Sequence, residues 1–248
     1  MLKRLAVLLL VVPALAGAAE GGYPLDHADV DVSNQASLQR GAQLFVNYCM
    51  ACHSAKFQRY SRLARDIGLT EQQVEANLIL TPNTKVGDTM RNAMPAEESE
   101  NWFGRTPPDL SLIARAKGAD YVYTYLRTFY LDEERPLGVN NAVLVNAGMP
   151  HVLWELQGWQ RPVYESHGHG EEKGHVITGF EIVKPGSMSV TEFNSAMRDL
   201  VNFLVYVSEP AQLQRKQVGI WVLLFLALAF VVFYALKKEY WKDVYKKT

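Results

Sequence analysis

The sequence predicts a mainly α-helical domain with long loops, followed by one C-terminal membrane-spanning helix. Three observations predict it. An apolar run lies near each end of the chain, two amphipathic stripes of helical period bracket the stretch between them, and one Cys-x-x-Cys-His pentad follows the first stripe.

The N-terminal run opens with Lys3 and Arg4, continues through apolar residues 5–15 broken only by Pro13, and ends in Ala16-Gly17-Ala18-Ala19. A basic start, a short apolar stretch and small residues together read as a secretory signal, residues 1–19. The run is short for crossing a bilayer, which favours cleavage over a permanent anchor. Near the other end, residues 218–236 contain no charged side chain and include Trp221, Phe225, Phe230, Phe233 and Tyr234. At a helical rise of about 1.5 Å per residue this run nearly spans a hydrocarbon core of roughly 30 Å. Lys237, Lys238, Lys242, Lys246 and Lys247 follow it, against Arg215 and Lys216 before it. That excess places the tail in the cytoplasm. The expected organisation is a signal at 1–19, an exported domain at 20–216, an anchor at 217–237 and a cytoplasmic tail at 238–248. The protein would then be a single-pass protein of a bacterial inner membrane, with its domain on the periplasmic side.

The formal net charge is −1, so nothing global points to nucleic acid. The exported stretch is richer in acid than in base, which would steer a basic soluble partner. Glu97-Glu98-Ser99-Glu100 and Asp132-Glu133-Glu134 are acidic clusters that either flank such a docking face or simply face solvent.

Two cysteines in an exported chain would ordinarily suggest a disulfide. Cys49-Met50-Ala51-Cys52-His53 suggests a covalent c-type haem instead. Two thiols can add to the two vinyl groups on one porphyrin edge, and two intervening residues set both sulfurs along that edge. The adjacent imidazole then lies where it can bind iron. A thioredoxin-like dithiol shares the cysteine spacing but needs a strand–helix unit, whereas here a helical segment precedes the motif. Asn34 or Ser37 can cap that helix, which runs through Leu38, Gly41, Leu44, Phe45 and Tyr48. Gly41 and Phe45, four apart, share a face. A partner helix is available at residues 190–207, with Phe193, Met197, Leu200, Val201 and Leu204 on one stripe. The domain is thus expected to be a haem domain resembling cytochrome c. Residues 56–83 are charged and helix-compatible, and loops rich in proline and glycine lead from there to Pro108.

The iron's other face decides between electron transfer and substrate chemistry. Met90, Met94, Met149, His151 and Met188 are candidates. Met149 follows a glycine, which lets backbone approach a flat ring, and precedes a proline, which holds an extended loop. Met94 has a weaker version of this setting, Ala93-Met94-Pro95. A buried core methionine is the alternative for each.

Several stretches, in order, are similar to the cytochrome c1 family, the haem subunit of quinol–cytochrome c reductase. They are Arg40-Gly41-Ala42-Gln43-Leu44-Phe45 running into the haem motif, Pro107-Pro108-Asp109-Leu110-Ser111-Leu112-Ile113 followed by Arg115, and Asp120-Tyr121-Val122-Tyr123. Asn140-Asn141, Gly148-Met149, Tyr206-Val207-Ser208-Glu209-Pro210, Arg215-Lys216 and the anchor continue the match. The resemblance implies one haem c, with Met149 and His53 as its iron ligands, Arg115 near a haem carboxylate and Tyr121 beside the ring. It implies one-electron transfer from a Rieske iron–sulfur protein to a soluble or tethered cytochrome c, with no enzymatic activity of the subunit alone. It also implies a membrane cytochrome b as partner and a dimeric complex. Another anchored c-type electron carrier, or a haem enzyme or sensor with an open axial position, are the rival classes. The chain departs from larger family members in having no cysteine beyond the haem pair, so packing must hold the methionine loop. Residues 165–175, with His167, His169 and His175, read as a family-variable insertion: a solvated loop, or a weak metal site.

Overall fold

The computed structural model describes residues 22–167 and 174–242. The expected signal, most of the tail and His169 lie outside these residues, as do the side chains of His167 and His175.

Helix α1, Gln35–Leu44, begins at Asn34, whose side chain accepts from the Ser37 amide. It continues into one π-turn, Phe45–Cys49, closed by the Met50 N–H donating to the Phe45 carbonyl at 2.9 Å. Strand β1, Ala55–Arg59, leads into the short helices α2, Tyr60–Asp66, and α3, Glu71–Asn77. Thr70 caps α3 through a reciprocal pair with Gln73. Strand β2, Thr89–Met90, pairs antiparallel with β1, so the stretch expected to be helical from residue 56 instead starts as a strand. Helix α4, Ala96–Phe103, interrupts the expected loops and ends at Gly104 in a left-handed conformation.

Helices α5, Ile113–Lys117, and α6, Ala119–Arg127, are separated by Gly118 at φ 90°. Strands β3, Phe129–Leu131, and β4, Val139–Asn141, form a hairpin. After the one-turn helix α7, Trp154–Gln157, comes a long antiparallel ribbon, β5 Gly158–His167 with β6 Gly174–Pro185. The ribbon strands take residues 165–167 and 174–175 of the stretch expected as a loop, and residues 168–173 of it lie outside the described residues. Its register carries bulges at Trp159/Gln160 and Val163/Tyr164.

Helix α8, Val190–Ser208, is capped by Ser189 and Glu192. It crosses α1, and Phe45 packs on Phe203 with ring centroids 5.5 Å apart. This is the pairing that the two apolar stripes predict. The core lies along this crossing, with Leu38, Phe45, Leu63, Ile67, Met197, Leu200 and Phe203 essentially inaccessible to solvent. Helix α9, Gln212–Tyr240, extends the expected anchor at both ends, has a mean hydropathy of 2.7 over its apolar window, and buries none of that window against the domain. The whole is a mainly helical domain with one long apolar C-terminal helix, as the sequence predicts.

Candidate functional site

The π-turn at the end of α1 rephases the chain just before the first cysteine. A π-turn adds a residue to one helical turn and is frequent at functional sites. The His53 N–H then donates to the Cys49 carbonyl at 2.8 Å, and the Cys52 N–H to the same carbonyl at 3.1 Å, so the pentad is one compact turn. No disulfide joins the two cysteines; Cys49 is buried and Cys52 partly exposed.

The Pro-Pro-Asp-Leu-Ser stretch is sewn onto this turn. The Leu110 N–H donates to the Ser54 carbonyl, Asp109 accepts from the Lys56 amide, and Ser111 Oγ accepts from the Phe57 amide. Asp109 also accepts from the Ser111 amide, which closes the local turn. This arrangement delivers the Pro108 carbonyl to His53 Nδ1 at 2.7 Å. A carbonyl can only accept, so Nδ1 carries the proton and Nε2 is left as the ligating atom. Burial lowers the His53 pKa, against the Pro108 bond and Asp109, and so favours the neutral imidazole that binds metal. Asn92, which sequence reasoning passed over, grips the other side of the turn by donating from Nδ2 to the Cys52 carbonyl and from its amide to Ser54 Oγ.

Two cavities adjoin here and share His53, Arg105, Pro108, Gly148 and Met149. One, with about 990 Å³ of space free of protein atoms and partly open to solvent, is also lined by Cys49, Lys117, Tyr121, Tyr125 and Leu200. The other, about 520 Å³, adds Tyr48, Cys52, Phe103 and Pro150. Together they form an apolar cleft holding both thiols, a neutral imidazole and a thioether, a donor set that suits a flat iron macrocycle.

Met149 reaches the cleft on a loop held from beneath. Asn140 Oδ1 accepts from the amides of Asn141 and Asn146, while Asn141 Oδ1 accepts from those of Val143 and Leu144. Asn141 Nδ2 donates to the Tyr125 carbonyl, which ties the loop to α6. Asn146 takes the left-handed conformation, φ 63°, that turns the chain toward Gly148 and Met149. The Tyr125 hydroxyl donates to Met149 Sδ at 3.5 Å, and burial raises the pKa of this phenol.

The other candidates lie elsewhere. Met94 lines a polar cavity with Cys52, Lys56, Arg91 and Asn92 that His53 does not reach. Met90 is buried in the core and Met188 packs against it. His151 is buried, stacked on Phe129 with 5.3 Å between ring centroids, and its Nε2 is 3.3 Å from the Gly158 carbonyl. Burial lowers its pKa to about 4.

Residues 28–244 match the model of the Cytochrome C1 family. The chain is 48% identical to cytochrome c1 of Allochromatium vinosum, over 97% of this chain and 98% of that one. It is 45% identical to a Nitrosomonas europaea protein named ammonia monooxygenase gamma subunit, over 99% of each. It is 27% identical to cytochrome c1 of Rhodospirillum rubrum, over 98% of this chain and 97% of that one. The chain belongs to the cytochrome c1 family.

Cytochrome c1 proteins carry one covalently bound c-type haem and act as electron-transfer subunits, and the one long apolar helix among the described residues fits a single-pass membrane protein. The cleft brings Cys49, Cys52, His53, Met149 and Tyr121 together. It does not bring Arg115. That side chain lies 3.7 Å from Glu209, which also pairs with Arg215, and Arg115 lines neither cavity. On the five-residue helix α5, Lys117 is the cation that faces the cleft, with its ammonium 5.5 Å from the Tyr121 ring centroid. Residues two apart on a helix point about 200° away from each other, so only one of the two can face the cleft. Arg105, on the loop after α4, is a second lining cation that the sequence did not single out.

Proposed function

We propose that this chain is the c1 subunit of a quinol–cytochrome c reductase, taking one electron from a Rieske iron–sulfur protein and passing it to a soluble or tethered cytochrome c. The observation that carries the reading is that His53 and Met149 line the same cleft beside both Cys49 and Cys52. In this reading the two cysteines would hold the haem by thioether bonds, and His53 Nε2 and Met149 Sδ would be its iron ligands. Bound there, the haem supplies a low-spin one-electron couple, raised in potential by methionine–histidine ligation.

The polypeptide's part is to bind, orient and exclude water. The Pro108 carbonyl fixes the imidazole tautomer, the Asn140–Asn141 pair fixes the methionine loop, and Lys117 and Tyr121 suit the haem carboxylates. No side chain is asked to act as acid, base or nucleophile. The lysine-rich tail supports a periplasmic domain on an inner-membrane anchor. A cytochrome b and a Rieske subunit in a dimeric complex are the expected partners.

Met149→Leu tests the site. The ferric spectrum should lose its sulfur-to-iron charge-transfer band, and the reduced protein should then bind carbon monoxide rapidly. A spectrum indifferent to this change would sink the assignment. Purification of the intact protein from membranes tests the complex: a di-haem cytochrome b should accompany it. Recovery with a monooxygenase instead would overturn the reductase and leave the haem site standing.

A further inference from the structure

We infer that the Tyr125 hydroxyl sets the haem's reduction potential by donating a hydrogen bond to the Met149 thioether. This rests on Met149 being the axial ligand. Tyr125 acts through Met149 and is therefore a positioning residue.

The geometry isolates this phenol. Tyr125 sits in the last turns of α6, stacked on Tyr121 with centroids 6.3 Å apart and planes 5° off parallel, and edge-on to Phe129 at 5.1 Å. These two rings fix its plane. Its own carbonyl is bonded by Asn141 Nδ2 at 2.8 Å, which fixes its height against the methionine loop. Among the described residues, the hydroxyl's hydrogen-bond partner is Met149 Sδ at 3.5 Å. A second small cluster, Phe129, Val139 and Ala147, backs both Tyr125 and Met149, so the pair does not depend on one loop alone.

The consequence follows from the sulfur's two lone pairs. One is available to a metal, and the other can accept a weak hydrogen bond. An O–H on the second draws electron density from the sulfur and makes it a poorer donor. Ferric iron needs that donation more than ferrous iron does, so the bond favours the reduced form and raises the potential. Outer-shell hydrogen bonds to a ligating group are a recognised lever on metal-site properties. The sequence contains the same residue type two positions earlier, at Tyr123, but that hydroxyl bonds the Asn194 carbonyl at 3.4 Å, away from the cleft. The effect is therefore specific to position 125.

The test is a redox titration of the holoprotein. Tyr125→Phe removes one oxygen and keeps the ring that Tyr121 and Phe129 clamp. Its potential should fall by up to about 59 mV, the one-electron equivalent of a tenfold change in the ferrous-to-ferric preference. The sulfur-to-iron charge-transfer band should persist at a shifted wavelength. Tyr123→Phe, the same deletion on the same helix, should change neither. An unchanged potential and band in Tyr125→Phe would overturn the inference. So would complete loss of the band there, because the hydroxyl would then be retaining the ligand and not tuning it. Met149→Leu tests the axial assignment by itself, so failure of that assignment is distinguishable from failure of this proposal.

Discussion

Gly41 of α1 lies directly against the backbone of Asp199 in α8. A Cβ at position 41 would stand 2.1 Å from the Asp199 carbonyl oxygen and 2.7 Å from Phe203 Cβ. The obstacle is backbone, so no side-chain rotation relieves it.

Gly41→Ala should therefore force the two helices apart at the centre of the core. Overpacking a core costs about 1–3 kcal/mol, occasionally more, and a backbone obstacle belongs at the upper end. In a domain of this size the melting temperature should fall by on the order of 10 °C. Differential scanning calorimetry of the holoprotein checks it, and a shift of a degree or less would mean that the crossing is looser than described. Arg40 supports the same crossing. Its guanidinium makes two bonds to the Asp199 carboxylate, at 2.5 and 3.0 Å, and the carboxylate raises the arginine's pKa.

Asn141→Ala should loosen the methionine loop while leaving haem attachment intact. The side chain is fully buried and serves the Tyr125 carbonyl and the amides of Val143 and Leu144 at 2.8, 2.9 and 3.1 Å. Buried groups left unpartnered cost about 1–3 kcal/mol each, reduced here because Leu144 can turn to water. If Met149 binds the iron as proposed, the loss should appear mainly as its easier displacement, read as tighter binding of added imidazole by the ferric protein. Unaltered imidazole affinity would show that Asn140 alone holds the loop.

The parts legible in the sequence were those fixed by short-range chemistry. The haem pentad needs only adjacent residues, and the α1–α8 pairing needed only two helical stripes. Placing Arg115 was different, because its direction depends on where a five-residue helix starts and on Gly118 ending it. Resemblance pointed to the arginine, whereas the helix phase turns that residue to Glu209. The β5–β6 ribbon was hidden for another reason. Its strands carry apolar residues, such as Val163, Val176 and Ile182, that stay partly exposed, so no fully buried face imposed a clean alternation. The role of Asn141 was equally out of reach, since its bonds join α6 to a loop through tertiary placement.

Acid should release the N-terminal strap before the core. Residues ahead of α1 are fastened to α6 by Asp120, which accepts from the Ala28 amide at 2.8 Å and from His27 Nδ1 at 3.2 Å, and by Asp26 bonded to Arg127 at 2.6 Å. The Ala28 amide, helped by His27, holds the Asp120 carboxyl below its ordinary value of 3.8. A depressed carboxylate contributes stability that is present above the ordinary value and lost as pH falls through the lowered one. Pepsin cleavage within residues 22–34 should thus rise steeply below about pH 3.8. In Asp120→Asn the strap should already be sensitive at the top of that window. Identical profiles for the two proteins would remove Asp120 from this role.

The two acidic clusters should differ in their effect on a basic electron acceptor. Helix α4 carries Glu97, Glu98 and Glu100, all exposed, and the same helix places Phe103 in the wall of the cleft. Trp102, 59% exposed, stands beside them. A partner drawn to α4 therefore arrives next to the cleft. In the second cluster, Asp132 is occupied in holding the β3–β4 turn, accepting from Asn140 Nδ2 and from the Glu134 amide, and neither Glu133 nor Glu134 lines the cleft. Charge steers encounter in proportion to its proximity to the docked position and is screened beyond about 8–10 Å at ordinary salt. Reversing Glu97, Glu98 and Glu100 to lysine should lower the association rate with a basic cytochrome c about tenfold or more at low salt and flatten its salt dependence. Reversing Glu133 and Glu134 should have a smaller effect. Stopped-flow oxidation of the reduced protein across a salt series measures both. Equal rates for the α4 variant and the unaltered protein at low salt would show that the acceptor docks elsewhere.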